Sequence, residues 1–360
     1  MADLPIEGIN DLVSGTLKEL GRNRFQQIAQ NLQYYPVVSQ MMKKEKVQFD
    51  EGIGIQRNLM GQLSKQARHT GIMSTDSVDI PQLMVQMSIN WRHATVGWGF
   101  AYQEMLVNRG QALIFKVVKP RRLDAMISLA EDLEAKAWST PISGDNLLPW
   151  GIPFWVVYTA STAPGSFAGS YPSGFSTLAG IDLTQTPNFK NYSCTYTAVT
   201  KADLIASIRS GHRKMGWKSP MRVADYGKGQ YQNYSVYTND TTIRSLEAVG
   251  EAQNENLGRD LAPFGSATET KDVEGTLVLR KHPVEWVPQL DDTSVFTACT
   301  NPVYFIDHAT FYPVCLVGDF LRESPVIRAP NQHNVFRVFI DISYNYLCVD
   351  RRRNGVFATA

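Results

Sequence analysis

Cysteine is scarce: the 360-residue chain has four, Cys194, Cys299, Cys315 and Cys348. None stands in a Cys-x-x-Cys pair, which removes the spacing that zinc ribbons and thioredoxin-like redox sites need. Four thiols in a chain this long are also too sparse for a disulfide scaffold, so free, buried thiols in a reducing compartment are expected. No apolar run approaches the ~20 residues of a membrane-spanning helix. Asp3, Glu7 and Asp11 interrupt any apolar stretch that could serve as a secretion signal. Without such a signal, the N-x-[ST] sequons at Asn191, Asn233 and Asn239 read as chance matches. A surplus of one charge is missing too: 35 Lys and Arg face 34 Asp and Glu, a net charge of +1. General nucleic-acid binders carry a clear basic excess, which argues against that class.

Catalytic signatures are absent as well. The sequence has no P-loop, no GxGxxG, no HExxH and no GxSxG. Its six histidines are scattered. The Asp307-His308 pair could meet His333 or Cys315 at a metal, but lone histidines of this kind are ordinary packed or surface residues. Glu131, Asp132 and Glu134 read as the wet face of an amphipathic helix, and Lys119, Arg121 and Arg122 as a solvated cluster. No catalytic, cofactor-binding or metal-ligating residue is therefore assigned, and no cofactor is expected.

What is present is a clear order of elements. Ile9, Leu12, Val13, Leu17 and Leu20, then Phe25, Ile28 and Leu32, predict a helical leading segment. Val47, Phe49, Ile53 and Ile55 predict a strand over 46–59. After a polar stretch, Leu83, Val85, Met87, Ile89 and Trp91 alternate with Gln82, Gln86, Ser88, Asn90 and Arg92, a second strand with one apolar face. Together they predict an extended hairpin whose apolar side needs a partner surface. Leu123, Met126, Ile127, Ala130, Leu133, Ala137 and Trp138 mark one stripe of a strong helix, which Pro120 either starts or kinks. Residues 141–190 are rich in Gly, Pro, Ser and Thr, predicting loops with short strands such as Phe154 to Tyr158. Their aromatics, Trp150 to Phe175, lack an interleaved Lys/Arg stripe and suit subunit-interface anchors better than base stacking.

Thr200 and Asp203 form a variant capping box for a helix over 201–214, and another helix starts near Asp240. Short strands are predicted at Gly275 to Arg280, Val303 to Ile306 and Tyr312 to Val317. From Phe336 to Cys348, apolar and polar residues alternate in the longest strand pattern of the chain. Arg351, Arg352 and Arg353 close it.

This order resembles the HK97-type major capsid proteins of tailed bacteriophages. The resemblance spans nearly the whole chain. It is carried by RRLDAMISLAEDLEAKAWST at 121–140, TLAGIDLTQTPNFKNYSC at 177–194, Pro302 to Asp307, and QHNVFRVFIDISYNYLCVDRRRNGVFA at 332–358. It implies an α+β HK97-like capsid fold. Its parts would be an N-terminal arm (1–44), an E-loop region (45–98), a P-domain spine helix (99–140), an A-domain (141–294), P-domain strands (295–349) and a C-terminal return to the A-domain (350–360).

The resemblance further implies a structural protein and not an enzyme: self-association into hexamers and pentamers of an icosahedral shell around phage double-stranded DNA. It places the chain in the virion, assembled in the host bacterial cytoplasm. Expected partners are a portal protein, a decoration protein and non-specific contact with packaged DNA, with no membrane. A separate scaffolding protein is expected because about 44 residues precede the first strand. Subunit contacts are expected at Gln62, Lys65 and Arg68 of the hairpin tip and at Leu83, Val85, Met87, Ile89 and Trp91 of its apolar face. Encapsulin-type nanocompartment shells share this fold and stay open as an alternative, as does an enzyme with a site in the 141–190 loops.

Overall fold

A computed structural model describes residues 35–44, 46–61, 69, 84–107, 111–216, 233–257, 277–280 and 282–359. The predicted helices of residues 1–34 lie outside the described residues. In chain order the strands are β1 (Gln48–Asp50), β2 (Gly54–Met60), β3 (Met84–Asn90), β4 (Arg92–Ala101), β5 (Tyr192–Tyr196), β6 (Tyr234–Thr238), β7 (Val278–Leu279), β8 (His282–Trp286), β9 (Thr300–Asp307), β10 (Phe311–Leu316), β11 (Arg322–Glu323), β12 (Ile327–Ala329), β13 (Gln332–Cys348) and β14 (Gly355–Thr359). The helices are α1 (Tyr102–Val107), α2 (Gln111–Ala137), α3 (Ile152–Trp155), α4 (Ala206–Met215) and α5 (Asp240–Leu257).

The 17 residues of β13 form the axis of the first sheet. Its alternating β-branched and aromatic residues suit a pleated surface with one side against a core. β4 runs antiparallel along one edge, from Val335 opposite Ala101 to Tyr344 opposite Arg92. β10, β11 and β12 line the other edge, and β1 joins β10 in parallel. Val338, Ile340 and Ile342 are buried in alternation, as the period of two requires, and from Ile342 to Cys348 both faces are covered. α2 packs against β4, and its Leu129, Leu133 and Ala137, with the adjoining Trp138, join the same core as Ile340 to Tyr346. Pro120 lies inside α2, so the longer, continuous helix is the one that forms.

The second sheet has the order β5-β14-β9-β6-β8-β7. It divides two cores by the same alternation. Tyr304, Ile306, Tyr237 and Val356 face the first core, while Val303, Phe305, Val236 and Phe357 face the second. Leu204, Ile205, Ile208 and Met215 around α4 and Leu246 of α5 cover the second side. Thr200 caps the turn before α4 by accepting from the Asp203 N–H at 3.2 Å, as its capping pattern predicts.

Several expectations are corrected. The strand predicted over 46–59 is two strands broken at 51–53, where Gly52 adopts φ +103°, a region that favours glycine. β1 thereby belongs to the first sheet and β2 to the hairpin. Phe154 to Tyr158 is no strand; residues 152–155 form the short helix α3, started by Pro153. β4 falls largely within the stretch 45–98 expected for the hairpin region but pairs along β13, and β9 falls within 295–349 but lies in the second sheet.

The helix stripe is also shifted. Ala125, Leu129, Leu133, Ala137 and Trp138 are buried, whereas Leu123 and Met126 are 43% and 39% exposed. Over 120–137 α2 carries two apolar stripes, and among the described residues Ala125, Leu129, Leu133 and Ala137 are covered while Leu123 and Met126 are not.

Candidate assembly surfaces

β2 and β3 pair antiparallel, from Gly54 opposite Asn90 to Met60 opposite Met84. Ile55, Met87 and Ile89 are buried, Val85 and Leu59 half-buried, and Gln56, Gln86, Ser88 and Asn90 face outward. The alternation in the sequence thus marks the right face. Its cover is another matter: Leu178, Ala179 and Ile181 of the same chain join these residues in one core. Ser88 N–H donates to the Ala179 carbonyl at 3.0 Å. A Cβ on Gly61 would lie 2.8 Å from the Thr186 methyl and 2.9 Å from a Val85 methyl, so only glycine permits this approach. The base of the hairpin is therefore seated on its own 178–186 loop, and Met87 and Ile89 need no neighbouring copy.

Trp91 is half-buried and donates through Nε1 to the Gly52 carbonyl at 2.9 Å. Arg92, expected on the wet side, is buried and donates to the Asn146 and Asp145 carbonyls. Gln62, Lys65, Arg68 and Leu83 lie outside the described residues.

The end of the leading segment is held on α2. A short π-helical turn, Val37–Met41, buries Val37, Met41 and the following Met42. Glu134, expected in solvent, is fully buried here. Its carboxylate accepts from Val37 N–H at 3.3 Å, Val38 N–H at 3.0 Å and Trp138 Nε1–H at 2.9 Å. It thereby caps the free amides of a turn that belongs to another segment. One turn back on α2, Glu131 accepts from the Tyr35 hydroxyl at 2.9 Å. Gln40 donates to Glu285 of β8, tying the segment to the second sheet.

The arginine triplet after β13 is buried at two of its three positions. Arg351 Nε donates to the Trp155 carbonyl at 2.6 Å, and Nη2 to Asn191 Oδ1 at 2.8 Å and the Ser170 carbonyl at 3.2 Å. Burial lowers its pKa to about 10, so it stays charged at neutral pH while holding three points of the 151–191 loops. Arg353 pairs with buried Asp307 at 2.5 Å, and Arg352 is exposed beside Asp350. Asp307 is thus occupied by an arginine, and His308 pairs with the Tyr237 hydroxyl at 3.0 Å. No group of three His, Cys, Asp or Glu fit for a metal occurs among the described residues.

Several large apolar side chains remain in water. Ile53 is 100% exposed, Leu147 82% and Ile142 80%. Ile53 adjoins Gly52, the acceptor for Trp91, and Leu147 adjoins Asn146, the acceptor for Arg92, so both flank the hairpin root. Val326 and Ile327 are exposed at the start of β12, and Leu123 and Met126 on α2. Ile53, Leu147 and Ile142, each at least 80% exposed, are open to contact with another protein surface.

No protein-family profile and no curated protein matches the sequence. Solved structures do. A chain of the cyanophage A-1(L) capsid asymmetric unit superposes with a TM-score of 0.62 at 13% identity, covering 95% of this chain and 98% of that one. A chain of the capsid of Myoviridae phage XM1 gives 0.49 at 11% identity, covering 96% and 98%. One from the capsid of a native GTA particle gives 0.49 at 12% identity, covering 94% of each chain. The cyanophage superposition and the order of elements agree: the chain has the α+β HK97-type capsid fold.

Proposed function

We propose that this chain is the major capsid protein of a tailed bacteriophage, a structural protein without catalytic activity that assembles into the icosahedral head shell around double-stranded DNA. The observation that carries the reading is the shared fold along 95% of the chain with a component of the cyanophage A-1(L) capsid. The exposed aliphatic residues at the hairpin root and on α2 support it, because a repeating shell contact is what would cover them.

In this reading the two sheets and α2 make a stiff plate. Gln62, Lys65, Arg68 and Leu83 contact a neighbouring copy, with Val85 and Trp91 at the edge of that contact. Each contact is modest, and closure multiplies them. Self-association gives hexamers and pentamers, and the 141–190 loops meet around their axes. A portal protein, a separate scaffolding protein and a decoration protein complete the particle, and contact with packaged DNA is non-specific and weakens with salt. The protein resides in the virion and assembles in the host cytoplasm. Expression of the full chain, with and without its neighbouring genes, followed by negative-stain microscopy tests this: closed, uniform shells are expected, and a stable monomer by light scattering under every condition contradicts it.

A further inference from the structure

His212 of α4 and His282 at the start of β8 meet ring to ring. Their Nε2 atoms are 3.4 Å apart and their ring centres 5.5 Å, so each Nε2 points at the other. The Tyr234 ring of β6 stands 5.5 Å from the first and 5.4 Å from the second, closing a cluster of three rings. Both histidines are half-buried. The backbone of α4 is pressed against the sheet beside them: a Cβ on Gly211 would lie 2.7 Å from the rings of Phe357 and Tyr192. Among the described residues, the charged and titratable groups around the pair come from four places. Arg280, in the turn before β8, acts on His212. Asp307 at the end of β9 acts on His282 and is itself paired with Arg353. Tyr234 lies between them, and its carbonyl accepts from the His282 ring. On α4 itself, Lys214 is turned to the Gly165 carbonyl, and Arg213 is exposed.

Two nitrogens aimed at one another this closely have room for one hydrogen. At 3.4 Å, two N–H bonds of about 1.0 Å each would bring their hydrogens to within about 1.4 Å. Only one of the two Nε2 atoms therefore carries a proton while α4 is seated, whereas two imidazolium rings need both protonated. We propose that this pair is an acid release for α4: the helix stays seated on the second sheet while at most one of the two rings is charged, and loosens when both are protonated.

The sign is set by the facing nitrogens, and burial acts in the same direction. Desolvation, then His282, then Arg280 lower His212 from 6.5 to about 4. Desolvation lowers His282 as well, although Asp307 and the Tyr234 carbonyl favour its charged form. Two free histidines take up two protons as pH falls through about 6.5, and the seated pair takes up fewer. Seating thus releases protons: its stabilisation is full above about pH 6.5 and is lost as pH falls toward 4. Asp203, before α4, does not share this window. Against desolvation, the Ala198 and Thr197 amides hold its carboxyl below the ordinary range. The release is measured on unassembled chain and does not depend on shell formation.

Hydrogen exchange of peptides covering 206–216 in the full-length chain, corrected for intrinsic rates, provides the test. In the wild type, protection is expected to be level above about pH 7 and to fall by up to about tenfold per pH unit between roughly pH 6.5 and pH 4.5. H212Q and H282Q are each expected to remove most of this dependence, while H333Q, at an exposed histidine, keeps the wild-type profile. Ring-labelled histidine NMR reads the contact itself: H282Q is expected to raise the titration midpoint of His212, because the facing nitrogen is gone. Wild-type protection over 206–216 that does not change between about pH 7 and pH 4.5, an unchanged slope in H212Q and H282Q, or a His212 midpoint that H282Q leaves in place overturns the release.

Discussion

The residues that hold this structure in one arrangement are polar ones buried where the hydrophobic pattern gives no hint of them. Arg351 joins the end of β13 to three separate points of the loop-rich middle. Replacing it by methionine leaves buried carbonyl groups without a donor, each costing ~1–3 kcal/mol. Arg351→Met is therefore expected to destabilise the subunit by about 3 kcal/mol or more, measured by chemical denaturation. Arg352→Met, at the next residue but on the exposed side, is expected to change stability by less than about 0.5 kcal/mol. In the sequence the three arginines are indistinguishable, because which of them turns inward is decided by the short 3-10 turn Arg351–Arg353 and not by hydrophobicity. Glu134 was hidden for the same reason: an acidic residue between Glu131 and Trp138 reads as solvent-facing until a distant segment brings amides to it.

At the scale of elements, period and length were legible and partners were not. The alternation from Phe336 to Cys348 predicts β13, and the capping pattern at Thr200 predicts the turn before α4. The break at Gly52 was missed because apolar residues continue on both sides of it. The two stripes of α2 show the limit most clearly, since periodicity locates apolar faces without saying what covers each. That difference is measurable. Leu129→Asp places a charge in the core and is expected to abolish soluble expression, while Met126→Asp is expected to leave the fold and Tm nearly unchanged and to lower shell yield. Equal losses of fold in both would place the second stripe inside the subunit.

The hairpin gives a parallel case. Gly61→Val drives a side chain into Thr186 and Val85 and is expected to lift the hairpin base from the 178–186 loop, seen as lost amide protection at Ser88, with β13 still protected.

For the whole molecule, the notable property is that two well-filled cores coexist with aliphatic side chains left in water. One long strand, one long helix and a second sheet, returned to by the chain at β14, enclose two cores within a single chain. The expectation that the hairpin's apolar face is covered by other copies fails for its base, where the chain covers itself. The unburied surface is instead at the hairpin root and on the outer stripe of α2. Ile53, Ile142 and Leu147, exposed in the single chain, are the side chains that a contact between copies would cover. Cryo-electron microscopy of particles formed by the expressed chain measures this most directly. The expected map is a closed shell in which side chains of an adjacent subunit lie against Ile53, Ile142 and Leu147. A shell that leaves these three in solvent, or a chain that never leaves the monomeric state, would contradict it.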